Sequence, residues 1–302
     1  MFIAARLCLA AALCVGASAQ AEVAFGLTDA SRLIRFDTAN IAGRADVAAV
    51  TGVVAGQTLR AIDFRPSDAR LYAVSTNNAG TSGQLYTINL ATGAATAIGA
   101  GFALNGNAST RVSVDFNPVV NALRVITGGG QSYRVNANNG TLIAQDTNIS
   151  GNPLISGIAY TNNVAGAATT TLYGFDFISD NLGTISPPNA GTFNVVGPAG
   201  IVTGSAGAGF DISGATGMAY FSVDDLVGSV GAGDEFFSVN LATGLFTQIG
   251  ADDVFSGAFD LLDFSIEVPT PGSLALAVAA LGLLASTTRR RRQPAAGALA
   301  TA

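Results

Sequence analysis

The feature that most constrains this chain is an internal repeat of about fifty residues, each copy built from short strand patterns. Its clearest part is the run Asn-Leu-Ala-Thr-Gly, which occupies residues 89–93 and again residues 240–244. In both places the run lies between two segments rich in apolar and β-branched residues, and its glycine can adopt the left-handed conformation of a tight turn. Each copy therefore predicts a β-hairpin.

A second motif alternates with the hairpin and places an acidic residue inside an apolar strand pattern. The equivalent position in the five copies is occupied by Asp63, Asp115, Ala159, Asp211 and Asp260. Two hairpins per repeat make a four-stranded unit, and tandem units of this kind are the blades of a β-propeller. Five units fill residues 22–267, so the sequence predicts an all-β propeller with five four-stranded blades.

The two ends of the repeat region are incomplete in complementary ways. The first hairpin pattern, near Asp37, has no second motif before it, whereas the last second motif, at residues 256–266, has no hairpin after it. We therefore expect the N-terminal and C-terminal strands to form one blade together. Closure of this kind leaves no exposed end strand in the ring.

The composition excludes several kinds of active site. The chain has no histidine, its 14 basic residues are all arginine, and its two cysteines, Cys8 and Cys14, lie near the N-terminus. Histidine-dependent serine or cysteine nucleophiles and zinc sites built from imidazole or thiolate are therefore excluded from the folded region. A lysine Schiff base is excluded as well.

The N-terminus predicts export. Residues 1–21 contain one positive charge at Arg6, an apolar run at residues 7–15 and an Ala-Ser-Ala sequence at residues 17–19, which together are typical of a signal peptide. Removal of this segment would leave an exported chain without cysteine. Such a chain must be stable on its core alone, without disulfides.

The C-terminus carries a three-part pattern over residues 268–292. Pro269 and Pro271 come first, and an uncharged run at residues 272–288 follows. The third part is a basic cluster formed by Arg289, Arg290, Arg291 and Arg292. The uncharged run is at the short end of the range that spans a bilayer, and the arginines would hold that flank in the cytoplasm. Residues 293–302 form a short tail.

This pattern resembles the PEP-CTERM sorting signal of Gram-negative bacteria that make exopolysaccharide, although Thr270 stands where that signal usually has glutamate. The resemblance implies transient anchoring in the inner membrane through residues 272–288 and processing by an exosortase-type enzyme. The expected location is therefore the periplasm, the cell envelope or the extracellular space. Extracellular polysaccharide is the partner that this setting suggests.

The charge of the propeller region disfavours a nucleic acid as a partner. Once Arg6 and the four tail arginines are set aside, nine arginines remain against all 20 acidic residues. These nine lie between Arg32 and Arg134, so the second half of the region is purely acidic. A strongly negative surface repels phosphate backbones.

The repeat region is similar to a bacterial family known only as domain of unknown function 4394. The similarity is carried by residues 85–99, by the runs Asp-Phe-Arg-Pro at 63–66 and Asp-Phe-Asn-Pro at 115–118, and by residues 160–163. The resemblance implies an exported protein. It supplies no catalytic motif.

The recurring acids are the strongest candidates for a binding site. If the motif forms the innermost strand of each blade, Asp63, Asp115, Asp211 and Asp260 surround one axis. Clustered carboxylates can bind Ca²⁺, which needs six to eight oxygen ligands and neither histidine nor cysteine. The alternative is that each carboxylate accepts hydrogen bonds from a turn of its own blade.

Other residues suggest weaker hypotheses. Three acidic pairs are expected to be solvated loop residues, although a glycosidase pair could lie among them: Asp224-Asp225, Asp234-Glu235 and Asp252-Asp253. The six tyrosines could stack on sugars, but their repeat positions favour packing in the core. Five arginines could form an anion-binding patch or could pair with the excess acids: Arg65, Arg70, Arg111, Arg124 and Arg134.

The sequence therefore favours a non-catalytic binding or structural module of the envelope or extracellular matrix. One alternative is a carboxylate-dependent, calcium-assisted hydrolase or lyase acting on extracellular polysaccharide. A second alternative is a periplasmic scaffold for another protein. The fold by itself does not separate them, because propellers serve all three roles.

Overall fold

A computed structural model describes residues 21–106, 111–151, 153–204, 208–224, 226–227, 234–251, 255 and 260–268. The predicted signal peptide, up to residue 20, and the predicted sorting segment, from residue 269 onward, lie outside these described residues. No helix in the described part of the chain has the length and apolar character needed to cross a membrane.

The described residues form twenty β-strands. In chain order they are β1 (Val23–Thr28), β2 (Arg32–Asp37), β3 (Asn40–Ala49), β4 (Gln57–Arg65), β5 (Arg70–Asn77), β6 (Ser82–Ile88), β7 (Ala95–Ala103), β8 (Val112–Asn117), β9 (Ala122–Thr127), β10 (Ser132–Val135), β11 (Leu142–Gln145), β12 (Ile155–Tyr160), β13 (Leu172–Asp176), β14 (Asn181–Ile185), β15 (Phe193–Pro198), β16 (Ala208–Ile212), β17 (Ala219–Val223), β18 (Glu235–Val239), β19 (Phe246–Gln248) and β20 (Leu261–Ile266).

The strands pair into five antiparallel, four-stranded blades. Blade 1 has the order β20-β1-β2-β3, blade 2 runs from β4 to β7, blade 3 from β8 to β11, blade 4 from β12 to β15 and blade 5 from β16 to β19. The inner strands β20, β4, β8, β12 and β16 contact one another in a closed ring. The five-bladed propeller predicted from the sequence is confirmed, including its closure, because β1 pairs with both β2 and β20.

The hydrophobic core lies between neighbouring blades, where aromatic side chains meet edge to face. Phe25 of blade 1 packs on Phe64 of blade 2 with ring centroids 5.8 Å apart. Tyr72 of blade 2 packs on Phe116 of blade 3 at 5.0 Å. In both pairs the first residue lies on the second strand of its blade and the second residue lies on the inner strand of the next blade. These aromatic contacts stabilise the packing of neighbouring blades.

The literal repeat in the sequence corresponds to a turn that docks on the preceding blade. Gly93 and Gly244 have φ angles of 70° and 85°, which favour glycine. A Cβ atom on Gly93 would lie 2.3 Å from the carbonyl oxygen of Ala49, and one on Gly244 would lie 2.4 Å from that of Gly197. Only glycine permits this approach, so the run Asn-Leu-Ala-Thr-Gly serves the contact between blades as well as the hairpin.

Candidate metal centre on the propeller axis

Three of the four aspartates predicted to share a site come together on the axis. Asp63, Asp115 and Asp211 lie on the inner strands β4, β8 and β16, and each offers a carboxylate oxygen within 4.8 Å of the others. Their register is equivalent, because each faces the residue nine positions later on the neighbouring strand of its blade: Tyr72, Arg124 and Tyr220. The residues are buried, with exposed fractions of 2%, 1% and 1%.

These side chains connect the inner strands around the ring. Asp63 Oδ2 accepts a hydrogen bond of 2.7 Å from the backbone N–H of Phe116 in blade 3. Asp115 accepts one from the backbone N–H of Tyr160 in blade 4. Asp211 Oδ2 accepts one of 2.6 Å from Ile266 in blade 1. The donors thus belong to the next blade, whereas the alternative interpretation of the sequence expected them in a turn of the same blade.

Blades 4 and 1 differ at this position. Blade 4 has Ala159, which has no acceptor, and the backbone N–H of Ile212 is bound instead by Oδ1 of Asp211 at 2.6 Å. Blade 1 has Ser265, whose Oγ accepts a hydrogen bond of 3.0 Å from the backbone N–H of Phe64. The ring therefore contains three carboxylates, one hydroxyl and one gap.

Asp260, the fourth predicted member, does not belong to the group. It lies before β20 and is exposed, and its backbone N–H donates to Asp29 Oδ1 at 3.1 Å. Pairing between β1 and β20 puts Ser265 at the repeat position instead. The prediction placed the last copy five residues too early, because the connection before β20 differs in length from those before the other inner strands.

Asp263 is a further buried acid near the axis that was not among the predicted members. This residue is buried on β20, and its Oδ2 accepts a hydrogen bond of 2.8 Å from the backbone N–H of Ile62. The signal was available, since Asp263-Phe264 repeats the dipeptide Asp63-Phe64. Its side chain lies two residues before the repeat position on the same face of the strand.

Ser265 bridges two of the carboxylates. Its Oγ is 2.8 Å from Asp63 Oδ1 and 3.0 Å from Asp211 Oδ2. A hydroxyl has one hydrogen and can donate to only one of these oxygens at a time. The bridge therefore leaves one of the two contacts without a proton when both carboxylates are ionised.

The electrostatics of the axis disfavour the ionised carboxylates. Burial, and then the charges of neighbouring aspartates, raises the pKa of Asp63 and of Asp115 well above the usual value. Burial also raises the pKa of Asp211 to about 6 and that of Asp263 well above its usual range. The salt bridges found among the described residues do not involve any of these four side chains. Within the described ranges, no arginine forms a salt bridge that compensates the negative charge of these four aspartates.

One oxygen on the axis lacks a hydrogen bond. Oδ1 of Asp115 is enclosed and has no hydrogen-bonding partner within the described ranges. Leaving a buried acceptor unpaired costs about 1–3 kcal/mol, and more when the group is charged. The atoms that this cluster could offer to a metal are all oxygens, from carboxylates and a hydroxyl. Such a set of ligands suits a hard cation such as Ca²⁺ or Mg²⁺.

Other predicted candidates occupy different surroundings. Asp234 and Glu235 are buried, so the expectation of solvated loop acids is wrong for this pair. Asp234 Oδ2 accepts the backbone N–H of Leu261 at 2.5 Å, which holds the start of β20, and burial raises its pKa to about 8. Several residues lie outside the described part of the chain: Asp225, Asp252, Asp253, Pro269, Pro271, Arg289, Arg290, Arg291 and Arg292.

The tyrosines pack in the interior. Five of the six are buried and Tyr173 is partly buried. The hydroxyls of the five buried tyrosines bond to neighbouring groups of the protein; that of Tyr72, for example, donates to Asp68 at 2.9 Å. The structure therefore agrees with packing rather than with an exposed sugar-stacking surface.

Solved structures with a similar fold are distant in sequence. A structure of a nidogen/laminin complex matches at 11% identity with a TM-score of 0.45, covering 82% of this chain and 98% of that one. The GH74 xyloglucanase from Xanthomonas campestris matches at 18% identity and a TM-score of 0.43, covering 77% of this chain and 36% of that one. An oligogalacturonate lyase in complex with manganese matches at 10% and 0.37, covering 77% and 62%. Similarities this distant transfer no function.

Family membership is better defined. No curated protein matches the sequence. The family model described as Domain of unknown function (DUF4394) matches residues 32–257, which include all of blades 2 to 5 and much of blade 1. Because this match spans most of the chain and coincides with the propeller, the protein belongs to the DUF4394 family.

Proposed function

We propose that this protein is a non-catalytic binding module whose propeller holds a Ca²⁺ ion on its axis between Asp63, Asp115 and Asp211. The observation that carries the proposal is Oδ1 of Asp115, a buried acceptor without a partner in the described residues, beside two further carboxylates. A cation at this point supplies both the missing partner and the missing positive charge.

The spacing of the oxygens supports a single ion. Ca²⁺ binds oxygen at about 2.3–2.6 Å, so two oxygens on one ion cannot be more than about 5 Å apart. The three carboxylate oxygens meet this limit, with separations of at most 4.8 Å. A tighter octahedral Mg²⁺ site would need oxygens at about 2.0–2.1 Å from the metal, so Ca²⁺ suits the cluster better.

The hydrogen bonds between blades do not prevent binding. A carboxylate oxygen has two acceptor positions, so Asp63 and Asp211 can keep their backbone donors while they bind a metal. Ser265 Oγ is a fourth oxygen within reach of both aspartates. The small side chain of Ala159 leaves that sector of the ring without a competing group. The ion would thus contact residues from four blades and strengthen the closure of the ring.

Burial supports binding rather than hydrolysis. A glycoside hydrolase needs two carboxyl groups on either side of the scissile bond, about 5–9.5 Å apart, and room for a sugar ring between them. Asp63, Asp115 and Asp211 are closer together and at most 2% exposed. A carboxylate-dependent hydrolase or lyase would therefore need acids other than these.

The proposed setting is the cell exterior. Residues 1–21 would direct export, and residues 268–292 would anchor the chain transiently for an exosortase-type enzyme. Extracellular calcium modules bind with dissociation constants of about 10⁻⁴–10⁻³ M, a range that would suit a site filled after export. Extracellular polysaccharide is the proposed partner of the exported module.

A calcium titration of the full-length chain, purified in EDTA and followed by calorimetry, tests the proposal. We expect one Ca²⁺ per chain, and we expect Asp115→Asn and Asp63→Asn to weaken binding at least about tenfold, which is about 1.4 kcal/mol. The matched control is Asp46→Asn, since Asp46 is exposed and far from the axis in the sheet, on β3. It should bind as the wild type does.

Stability measured without calcium separates a metal site from a purely structural role. Asn at position 115 can still accept the backbone N–H of Tyr160 while removing a buried charge, so we expect Asp115→Asn to be at least as stable as the wild type. Absence of calcium heat in the wild-type protein would overturn the proposal. Equal calcium affinity of Asp115→Asn, Asp63→Asn and the wild type would overturn it too.

A further inference from the structure

A cavity of about 190 Å³ lies between blades 3 and 4. It is at the end of the ring where the inner strands finish, because Asn117 and Tyr160, the last residues of β8 and β12, both line it. The loop between β14 and β15 covers one side. Arg124 and Arg134, on β9 and β10, also line it, which makes this cavity basic in a chain that has more acidic than basic residues.

Arg124 occupies a position that other blades fill with an aromatic residue. It lies opposite Asp115 in the register, as Tyr72 lies opposite Asp63 and Tyr220 opposite Asp211. Instead of packing a ring on the next blade, Arg124 donates from Nε to the hydroxyl of Tyr160 at 2.8 Å. A buried guanidinium in place of an aromatic ring is costly to fold, so its presence needs an explanation beyond packing.

The guanidinium of Arg124 is held rigidly. Nη1 donates to Ser132 Oγ at 2.6 Å and to Asp146 Oδ2 at 3.1 Å. Nη2 donates to Asn189 Oδ1 at 2.6 Å, across the boundary to blade 4. A cation fixed in this way loses little conformational entropy when a ligand binds, so its charge is preorganised.

The cavity has an excess of positive charge. Arg134 donates to both oxygens of Asp146 at 2.8 Å, and Arg124 shares the same carboxylate. Among the salt bridges of the described residues, Asp146 is the only carboxylate paired with either arginine. Two guanidinium groups and one carboxylate give a net charge of +1. The two arginines also lie directly opposite each other across β9 and β10, an arrangement that one carboxylate only partly relieves.

Apolar residues make up four of the nine lining positions of the cavity. Val120, Ala122, Pro187 and Pro188 form the walls, and Val120 is 61% exposed at the rim. Rigid apolar side chains of this kind can pack on the face of a small ring. The volume is below the about 300–1,000 Å³ of pockets that hold drug-sized molecules, so the cavity accommodates one small unit.

We infer that this cavity binds one carboxylate-bearing, sugar-sized unit, with the carboxylate on Arg134 and Arg124 and the ring against the proline wall. The net charge of +1 matches a carboxylate better than a phosphate dianion, and planar guanidinium groups match carboxylate geometry. This inference names a ligand class for the proposed binding module. It does not depend on the axial Ca²⁺, because its residues lie outside the three-aspartate cluster.

The test is a ligand titration of the full-length protein in EDTA, with glucuronate as the probe and glucose, acetate and phosphate as comparison ligands. We expect glucuronate to bind at least about tenfold more tightly than glucose, because a hydrogen bond to a charged group contributes about 1.5–3 kcal/mol. Measurement in EDTA keeps a failure here distinct from a failure of the calcium proposal. Acetate or phosphate binding as tightly as glucuronate would overturn the assigned ligand class.

Three variants make the test specific. Arg134→Gln should weaken glucuronate at least about tenfold, since it removes the less buried cation while Asp146 keeps Arg124. Val120→Asp should weaken it by charge repulsion from an exposed rim position without touching the buried network. Arg70→Gln is the matched control, an exposed arginine outside the cavity, and should bind normally. Wild-type affinity in both Arg134→Gln and Val120→Asp would overturn the inference.

Discussion

The propeller axis and the cavity between blades 3 and 4 both contain buried carboxylates, but only in the cavity do arginines neutralise the carboxylate. On the axis, Asp63, Asp115 and Asp211 accept backbone N–H groups from neighbouring blades, and the salt bridges of the described residues leave them out. At the cavity, Asp146 forms salt bridges with both Arg124 and Arg134. Buried carboxylates in one fold are thus either neutralised by the protein or left for an external cation.

The distribution of arginine along the chain underlies this difference. Blades 4 and 5 contain no arginine, because the last one before the tail is Arg134 in blade 3. The contacts that involve Asp211 therefore come from backbone N–H groups and from Ser265. In blade 3, by contrast, Arg124 lies opposite Asp115 in the register but forms its salt bridge with Asp146.

Among the substitutions considered, we expect the greatest loss of stability at Arg124 in the cavity between blades 3 and 4. Arg124→Met removes the side chain that joins Tyr160, Asp146 and Asn189, which leaves Tyr160 and Asn189 without this donor and Asp146 with Arg134 alone. We expect the free energy of unfolding to fall by about 3–5 kcal/mol, as for other buried pairs that lose one partner. Urea unfolding at neutral pH measures this change.

The control for that variant is Arg32→Met. Arg32 pairs with Asp46 at an exposed site, with side-chain exposures of 35% and 44%, so its loss should cost at most about 1 kcal/mol. Equal losses of stability in Arg124→Met and Arg32→Met would show that the buried salt bridge of Arg124 at the cavity contributes no more than an exposed one. The contrast between a neutralised carboxylate at the cavity and uncompensated carboxylates on the axis would then be wrong.

The second effect is the pH dependence of the calcium-free protein. Burial raises the pKa of the axial aspartates in the folded state, so the folded protein binds protons that the unfolded chain releases. Stability must therefore fall as the pH rises from the ordinary aspartate pKa of about 4 through the folded value, which is about 6 for Asp211. Since one pKa unit corresponds to about 1.4 kcal/mol, we expect a loss on the order of a few kcal/mol over this range.

Urea unfolding in EDTA at pH values from about 5 to about 8 checks this slope. Asp115→Asn should flatten it, because one titrating group is removed from the axis. Saturating Ca²⁺ should restore most of the stability near pH 8 and less near pH 5, where protons compete for the carboxylates. If the stability of the calcium-free protein rises over this pH range, the axial aspartates do not carry an uncompensated negative charge.

The smallest change in stability is expected for the substitution of Ser265, the hydroxyl member of the ring. Ser265→Ala removes the hydroxyl that accepts the backbone N–H of Phe64 and bridges Asp63 and Asp211. An unpaired buried N–H costs about 1–3 kcal/mol, so we expect a loss near the lower end, about 1–2 kcal/mol. Ser67→Ala, at an exposed serine, is the control and should change stability by less than about 0.5 kcal/mol. Equal stability of Ser265→Ala and the wild type would show that the hydroxyl is dispensable.

The fold could be predicted because it depends on local patterns that recur. The hairpin run at residues 89–93 and 240–244 predicted the blades, and the unmatched patterns at the two ends predicted the closure. Both predictions use turn chemistry and strand periodicity, which a sequence contains directly. Asp63, Asp115 and Asp211 followed from the same repeat, because their motifs keep a constant register to the next strand.

The remaining members of the site depend on information that spacing does not contain. Asp260 was placed because Phe259-Asp260 resembles Phe210-Asp211, whereas pairing with β1 selects Ser265. Leu123-Arg124 is equivalent to Leu71-Tyr72 in the preceding repeat, so the sequence shows an arginine where an aromatic residue is expected. Its partner Asp146 follows the outer strand of the blade, and the meeting of the two is a tertiary contact.

The closure of blade 1 has a consequence for folding kinetics. Glu267 donates its backbone N–H to the carbonyl of Val23 at 2.8 Å, so the first and last strands meet although almost the whole domain separates them in sequence. Loop closure of this length is slow and unfavourable in entropy. As the chain emerges during synthesis, β1 remains an unpaired edge until residues 261–266 arrive, and such edges invite pairing with other chains. The most vulnerable stage of this propeller is therefore the interval before its final strand is made.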